Sequence, residues 1–345
     1  MMKRIIATFL ILLLLLSGCA ADTLHQSQSL KQYNATFLTL FDTVTTIVGR
    51  APSEELFQGQ AQAIHDDLLV YHQLFDIYHD YEGINNLKTI NDNAGISAVQ
   101  VDRKIISLLL DCKAYYELTN GKVNAAMGSV LSLWHHARSA GIDDPVHAKL
   151  PDTSALMEAA NHVDFNCIVI DEDASTVYVS DPEMSLDVGA VAKGWAAQQV
   201  ASSAPSGLLI SVGGNVCATG PKDENGTPWV VGIQNPDGGS DYLHTLYVKN
   251  GSVVTSGDYQ RAYMVDGKLY HHIIDPDTQF PSEYWRSVTV VCADSGLADA
   301  LSTALFLLPQ AEGQVLLDSC EAEAMWVDAS GNIFYSPGFP ELIRT

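Results

Sequence analysis

The chain reads TSGDYQRAYMVDGKLYHHIIDPDTQFP at residues 255–281 and, after one strand-like run, SGLADALSTALF at residues 295–306. These segments predict a Gly-Asp turn, a hairpin around Asp266-Gly267, a histidine pair and a helix in close succession. Their carboxylates, hydroxyls and imidazoles are the groups that bind metal ions and orient phosphates. This part of the chain is therefore a candidate functional site.

The rest of the chain mixes predicted strands and helices without a regular βαβ alternation, which favours an α+β fold. The strand-like runs at 229–233 and 242–248, and the hairpin 262–265/269–274, are predicted to extend a sheet. Other strands are predicted at 37–48, 167–180 (a hairpin), 208–220 (two strands meeting at a double glycine) and 288–292, and helices at 53–75, 102–118, 152–160, 190–202 and 297–307.

The N-terminus has the pattern of an export signal. Lys3 and Arg4 precede an apolar run that ends at Leu16-Ser17-Gly18-Cys19, which is similar to a bacterial lipobox. We predict a lipoprotein signal peptide at 1–18, a lipidated Cys19 with a flexible tether at 19–36, and one folded domain at 37–345. The protein is then anchored by lipid to the outer face of the bacterial cell membrane. The alternative is an uncleaved anchor helix, which leaves the domain on the same side.

The charge of the chain restricts its partners. The formal net charge is −23, and removing residues 1–18 leaves 16 basic against 41 acidic residues, or −25. Nucleic acid is excluded as a partner, because binding to its phosphates requires patches of Lys and Arg. An anionic substrate could bind only at a local site that uses backbone amides or a metal ion.

The cysteines do not form a metal or redox motif. None of the five that follow Cys19 lies in a Cys-x-x-Cys pair, and their apolar surroundings predict buried thiols rather than a disulfide framework. They are Cys112, Cys167, Cys217, Cys292 and Cys320.

Asp299 and Thr303 lie four residues apart in the predicted C-terminal helix, so both project from one face. A carboxylate and a hydroxyl in that register suit Mg²⁺, which keeps open positions for water and substrate phosphates. The alternative is structural: Asp299 helps to start the helix and Thr303 fills core space.

The segment DVGAVAKGW, residues 187–195, places Asp187, small residues and Lys193 where a strand turns into a helix. Such a corner lets a diphosphate or metal approach the main chain, and a helix N-terminus favours an anion. It is neither a Walker loop nor a Gly-x-Gly-x-x-Gly fingerprint. A simple helix start remains the alternative.

Asp258 follows a strand and could be a base, a ligand or a turn former. His271 and His272 are predicted on one strand and therefore on opposite faces, one exposed and the other in the same cavity as Asp275. A structural histidine is the alternative. For Trp134-His135-His136, near a predicted helix end, we predict a surface role.

Together these segments resemble the FAD:protein FMN transferases, the ApbE family, in its lipoprotein form. The resemblance covers residues 37–337 and includes FDTV (41–44), GKVNAAMGSVLSLWH (121–135), DVGAVAKGW, ISVGGN, TSGDYQR, HHIIDPDTQFP and SVTVVCADSGLADALSTALF in family order. The departures are Asn124 for Asp, Phe41-Asp42 for Met-Gly, Trp195 for Tyr and Gln279 for Gly.

The resemblance implies an α+β fold with a T-fold-like element and a Mg²⁺-dependent transferase. Such an enzyme splits FAD, transfers FMN to a Thr or Ser hydroxyl of an acceptor redox protein and releases AMP. It implies Mg²⁺ ligands at the Ala190 carbonyl, Asp299 and Thr303, and His272, with Asp258 near it, as the group that activates the hydroxyl. The implied flavin contacts are Phe41, Tyr78, a Val123-Asn124-Ala125 strand, Asp187, Lys193, His272 and Ile273. Two other functions stay open: an FAD diphosphatase that forms FMN and AMP, and a non-catalytic FAD-binding lipoprotein.

Overall fold

The computed structural model describes residues 30–345. The predicted signal peptide, Cys19 and the tether up to residue 29 lie outside the described residues. In the part that is described, no helix has the length and apolar character needed to cross a membrane.

Within residues 30–345 there are eight α-helices, which we number α1 to α8: Glu54–Phe75, Leu87–Asp92, Arg103–Leu118, Gly128–Asp143, Thr153–Ala159, Ala192–Ser203, Ser295–Phe306 and Gln310–Leu317. The same residues form fifteen strands, β1 to β15: Lys31–Leu40, Thr43–Ala51, Val99–Gln100, Ile168–Asp171, Thr176–Val179, Leu208–Val212, Asn215–Ala218, Trp229–Gln234, Tyr242–Val248, Gly251–Gly257, Tyr263–Val265, Lys268–Tyr270, Ser287–Cys292, Ala322–Val327 and Ile333–Tyr335. The predicted α+β class is confirmed.

An eight-stranded antiparallel sheet in the order β1-β2-β6-β7-β10-β13-β14-β15 forms the centre of the fold. Because side chains alternate along a strand, the two faces bury different partners. Val254 packs with α7 on one face, and Val253 packs with β8 and β9 on the other. Helices α1 and α6 cover the β2 and β6 part of the first face. The sheet therefore supports α6 and α7 side by side.

Two of the predicted helices, at 53–75 and 102–118, begin at a capping residue. The Ser53 hydroxyl accepts from the Leu56 amide at the start of α1, and the Asp102 carboxylate accepts from the Lys104 amide at the start of α3. Such caps satisfy backbone donors that have no partner inside the helix.

The prediction of one strand at 37–48 was wrong, because this region forms a hairpin. β1 and β2 meet at Phe41 and Asp42, whose φ angles are 52° and 51°. Two consecutive positive φ angles are those of a tight hairpin turn, for which Asn-Gly is the usual sequence signal. The sheet also begins at Lys31, so residues 31–36, which we had predicted to belong to the tether, are part of a folded strand.

The strands at 229–234 and 242–248 do not extend the main sheet. They form a separate two-stranded sheet, as do β11 and β12. β12 ends at Tyr270, four residues before the predicted end at 274, because the Ile273 amide donates to Nδ1 of His271 instead of to a neighbouring strand. The histidine pair therefore follows the strand rather than lying on it.

All five described cysteines are free thiols. Cys112, Cys217 and Cys292 are buried, as predicted, whereas Cys167 and Cys320 are partly exposed.

Candidate active site

A cavity of about 570 Å³ lies where α4, the start of α6, the middle of α7 and the loops after β10 and β12 converge. Its volume is in the range of small-molecule sites, roughly 300–1,000 Å³. An adjoining cleft of about 490 Å³ shares six residues with it. These are Asp42, Tyr78, Asp187, Gly189, Lys193 and Arg261.

The cavity brings together most of the residues that the sequence singled out. Its lining includes Tyr78, Val123, Asn124, Asp187, Ala190, Lys193, His272, Ile273, Asp299 and Thr303. Phe41 lines the adjoining cleft instead, and Ala125 and Asp258 line neither.

Asp299 has no capping role, because α7 is capped by Asp294, which accepts from the Leu297 amide. The Asp299 side chain is almost fully buried, and its Oδ2 accepts from the Gly194 amide at 2.8 Å. Lys193 Nζ lies 3.7 Å from the same oxygen. Burial raises the pKa of the Asp299 carboxyl, and the Lys193 charge and the Gly194 hydrogen bond oppose that rise. The carboxylate is therefore short of compensating positive charge.

The Ala190 carbonyl also lacks a partner. The Gly194 amide, four residues later, donates to Asp299 rather than to Ala190. No other hydrogen bond among residues 30–345 ends on the Ala190 oxygen. A buried carboxylate, an unpaired carbonyl and the Thr303 hydroxyl thus line one wall. These all-oxygen donors fit Mg²⁺, which binds one or two carboxylates and completes its shell with water and phosphate.

Gly194 is needed for this contact between α6 and α7. A Cβ at this position would lie 2.5 Å from Cβ of Asp299, much closer than two carbon atoms can approach. We expect Gly194→Ala to lower the free energy of unfolding by about 1–3 kcal/mol, as overpacking does, measured by urea unfolding. Gly59→Ala in α1 is the control, because no atom lies within 4 Å of its added Cβ. It is expected to stabilise the protein by up to about 1 kcal/mol, and equal effects would contradict the packing argument.

The imidazole of His272 is neutral. Its Nδ1 lies 3.2 Å from the Gln260 carbonyl, which can only accept, so Nδ1 carries the proton and Nε2 keeps its lone pair. Burial in the cavity wall, followed by the charge of Arg261, lowers the pKa of His272 to about 3. The ring is therefore an unprotonated base at neutral pH.

His271 is the structural member of the pair. It is buried, its Nε2 lies 2.8 Å from the Ser282 carbonyl, and its Nδ1 accepts from the Ile273 amide. The predicted division between an exposed histidine and one that shares a cavity with Asp275 was wrong. Asp275 is ion-paired with Lys122 and does not line the cavity.

Asp258 is not placed beside His272. Its Oδ2 accepts from Nε of Arg286 at 3.2 Å, and Arg286 also contacts Asp237 and the Pro236 carbonyl. The Asp258 amide also donates to the Arg286 carbonyl, and Asp258 lines neither the cavity nor the adjoining cleft.

The Val123-Asn124-Ala125 segment is not a strand. Asn124 uses its side chain to bind the Val163 carbonyl and the Ala126 amide. The Ala125 carbonyl accepts from the Asp187 amide, which ties this loop to the segment before α6. Loop contacts rather than a sheet therefore hold this segment in place.

Among the cavity residues that the sequence analysis did not single out are Arg138 and Arg261, and His135, for which it predicted a surface role, also lines the cavity. The predicted surface role for Trp134-His135-His136 holds only for His136, which is exposed. His135 lines the cavity, and Trp134 is buried and donates to the Gln279 carbonyl at 2.8 Å. The spacing of Met127, Leu131, Trp134 and Arg138 along one helical face could have revealed α4 as a cavity wall. Arg261 has a φ of 47°, and no local sequence pattern indicated that it would line the cavity.

Lys122 connects the turn after α3 to the loop after β12. Its Nζ lies 2.9 Å from Asp275 and 2.7 Å from Asp277. Burial disfavours the Lys122 charge, but hydrogen bonds to Asp277 and Asp275 outweigh it and raise the pKa. Lys122→Met is expected to cost about 3 kcal/mol, because it leaves the buried Asp275 without its cation.

Urea unfolding measures this loss, and Lys268→Met provides the control. Lys268 is paired with Glu283, but both side chains are mostly exposed, so the cost should stay below about 1 kcal/mol. If both variants lose the same stability, burial of the Lys122 pair has no special role.

The fold has close counterparts among solved structures. A crystal structure of the ApbE protein from Thermotoga maritima superposes with a TM-score of 0.80 at 30% identity, covering 91% of this chain and 100% of that one. The flavin transferase ApbE from Vibrio cholerae superposes with a TM-score of 0.74 at 21% identity, covering 91% and 99%, and shows the shared fold.

Sequence comparison gives the same result. The FAD:protein FMN transferase of Treponema pallidum is 34% identical over 277 residues, 75% of each chain. That of Klebsiella pneumoniae is 31% identical over 296 residues, 81% of this chain and 88% of that protein. Fold, cavity and relatives define an enzyme of the transferase class. The ApbE family model matches residues 41–326, and the chain belongs to the ApbE family.

Proposed function

We propose that this protein transfers the FMN part of FAD to a Thr or Ser hydroxyl of an acceptor protein, in a Mg²⁺-dependent reaction that releases AMP. The observation that carries the proposal is the oxygen-donor wall of Ala190, Asp299 and Thr303, with Lys193 beside it and the neutral His272 in the same cavity. The names of the relatives support FAD as the substrate and a protein as the acceptor.

The oxygen donors of Ala190, Asp299 and Thr303 offer a way to offset the negative charge of the substrate. FAD carries a diphosphate, and this chain has a formal charge of −23. Mg²⁺ bound by Ala190, Asp299 and Thr303 would neutralise diphosphate oxygens, which is the main requirement of phosphoryl transfer. Lys193, at the start of α6, adds a protein cation on the same side.

His272 supplies the base. Nε2 would accept the proton of the acceptor hydroxyl as its oxygen forms a bond to the FMN phosphorus. The bond between that phosphorus and the bridging oxygen of the diphosphate then breaks, and AMP leaves with the electron pair. The proton on Nε2 passes to solvent, which restores the neutral ring. The Gln260 carbonyl keeps Nδ1 protonated throughout and orients the ring.

A mass measurement tests this proposal. The purified protein is incubated with FAD, Mg²⁺ and a Thr-containing acceptor domain, and the acceptor is weighed by mass spectrometry. A gain of one FMN unit that disappears with EDTA supports the transfer. AMP release with an unlabelled acceptor indicates the diphosphatase, and intact FAD retained without products indicates a binding protein.

We also propose that the protein is a lipoprotein anchored through Cys19 on the outer face of the bacterial membrane. The support is the sequence Leu16-Ser17-Gly18-Cys19 after a short apolar run. Labelling with a radioactive fatty acid should mark the wild-type protein but not Cys19→Ala. In spheroplasts, externally added protease should degrade the wild-type protein, and protection from it would contradict the outward location.

A further inference from the structure

The outer edge of β1 is a long strand edge that no other strand of residues 30–345 covers. β1 stands at one end of the eight-stranded sheet and pairs with β2 alone. It has 10 residues, whereas β15 at the opposite end has 3, and a typical strand has about five to six. An edge of this kind presents unpaired N–H and C=O groups, which can pair with a strand of another chain.

Every second residue of β1 turns its main chain toward this edge. The Val44 carbonyl of β2 accepts from the Gly213 amide on the β6 side. Because successive residues of a strand point their main-chain groups to opposite sides, the next residue, Thr45, faces β1 and its partner Phe37. Counting back from Phe37, residues that pair with β2 alternate with residues that face outward. The outward-facing residues are Gln32, Asn34 and Thr36, and no loop or turn hydrogen bond of the described chain reaches their main chain.

The side chains of β1 leave this edge accessible. Natural edge strands are commonly blocked by proline or by charged side chains. The segment Lys31–Leu40 contains no proline and no acidic residue, and its only charged residue is Lys31, at the end farther from the cavity. The side chains at positions 32, 34 and 36 are uncharged and exposed. A second main chain can therefore approach β1 without a steric or electrostatic barrier.

The edge ends close to the proposed base. β1 leads into Phe41, whose carbonyl accepts from Nη2 of Arg261 at 3.4 Å. The preceding residue, Gln260, has its carbonyl 3.2 Å from Nδ1 of His272. Asp42, in the turn after β1, lines the cavity itself. A segment that pairs along β1 and continues past the turn is therefore directed toward His272.

We propose that an extended segment of the acceptor protein pairs with the outer edge of β1 as an added strand. The residues that follow this segment then carry the Thr or Ser hydroxyl into the cavity. In such strand addition the main-chain hydrogen bonds supply affinity, and the alternate side chains supply specificity. This inference rests on the proposed function, because it takes a protein hydroxyl as the acceptor.

A second copy of this chain is the other occupant that a free edge can take. Each copy has a formal net charge of −23, and two molecules of such charge repel each other. Pairing between two β1 edges would also bring no acceptor hydroxyl to His272. Charge and position therefore both favour a segment of the acceptor protein.

Proline at the outward-facing positions tests the pairing. Asn34→Pro and Thr36→Pro each remove an N–H that points away from β2, where an edge strand tolerates proline. The probe is the acceptor domain that the wild-type protein labels with FMN. We expect its KM to rise about 3- to 10-fold in each variant and about 10- to 100-fold in the double variant, because hydrogen bonds to the acceptor are lost. The affinity for FAD, measured by quenching of flavin fluorescence, should change less than about twofold.

Thr36→Val is the matched control, because it keeps the N–H and the β-branched shape of the side chain and removes only the hydroxyl. Its KM for the acceptor should stay within about twofold of the wild type. Hydrogen exchange of the wild-type protein reports on the edge directly. Adding the acceptor should slow exchange in residues 31–40 and leave the opposite edge, residues 333–335, unchanged.

An unchanged KM in the double proline variant overturns the pairing, and so does an equal rise in Thr36→Val, which would assign recognition to the side chain. If the proline variants do not unfold cooperatively, exchange in the wild type decides, and unchanged exchange at residues 31–40 overturns the pairing. A wild-type dimer in sedimentation that the double variant dissociates at unchanged KM assigns the edge to a second copy. A wild-type protein that labels no acceptor contradicts the proposed function itself, whereas labelling at unchanged KM contradicts only the pairing.

Discussion

Asp299→Asn is expected to lower the rate of flavin transfer by about 1,000-fold or more. The amide keeps the volume of the side chain and can still accept from the Gly194 amide, which donates to the carboxylate at 2.8 Å. It removes the negative charge that would hold Mg²⁺ against the diphosphate. A metal ion contributes several kcal/mol of transition-state stabilisation, and each 1.36 kcal/mol is a factor of ten in rate.

The same variant should be at least as stable as the wild type without metal. Burial raises the pKa of the Asp299 carboxyl, which means that its ionised form costs folding free energy that a neutral amide does not. Thermal unfolding should show that Mg²⁺ raises the Tm of the wild type but not of Asp299→Asn. A Mg²⁺-dependent Tm and normal turnover in the variant would contradict the metal assignment.

The Asp294→Asn variant distinguishes the loss of a metal ligand from a loss of helix stability. Asp294 caps the same helix, α7, and does not line the cavity. Asn also caps helices well, so this change should cost well under about 1 kcal/mol. Its transfer rate should stay within about twofold of the wild type.

His272→Gln is expected to reduce kcat by about 100- to 10,000-fold, the usual contribution of a general base. FAD binding should change less than kcat, because in the proposed function the diphosphate is bound through Ala190, Asp299 and Thr303 rather than through His272. Stopped-flow kinetics with an acceptor domain measure the rate, and quenching of flavin fluorescence measures the affinity. Equal losses in both, or none, would argue against a base at this position.

The pH dependence of kcat/KM provides a second test of His272 as the base. Because its pKa is lowered to about 3, the ring is already a free base above that pH. The profile of kcat/KM, which reports on the free enzyme, should show no loss of activity near the ordinary histidine pKa of about 6.5. His136→Gln is the control, since His136 is exposed on α4 and does not line the cavity.

Local patterns predicted the parts of this fold that depend on nearby residues. The starts of the helices at residues 53 and 102 and the hairpin at 167–180 could be predicted from the sequence, because each depends on hydrogen bonds between residues close in the chain. The position of Asp299 and Thr303 on one face of a helix could be predicted as well, because it follows from the helix period alone.

The roles of residues whose partners are distant in the sequence could not be predicted from local patterns. In the sequence, His272 was the candidate base with Asp258 expected near it, and Asp258 itself could be a base, a ligand or a turn former. The structure separates them, because Asp258 pairs with Arg286, 28 residues away, while His272 faces the cavity with Nδ1 on the Gln260 carbonyl. Likewise, the turn at Phe41 and Asp42 is stabilised by the Phe41 amide donating to His72, a contact that no turn signal reveals.

The amino-acid sequence by itself determined the α+β class, most helices, the family and the residues able to bind a metal, because these depend on composition and short spacing. The tertiary structure alone decided which of those residues share a cavity. It brings the Gly194 amide to Asp299 across 105 residues, which leaves the Ala190 carbonyl without a hydrogen-bond donor, and it places Arg138 and Arg261 in the lining of the same cavity. Such pairings are fixed by the packing of α4, α6 and α7 on one sheet, and no local pattern contains that information.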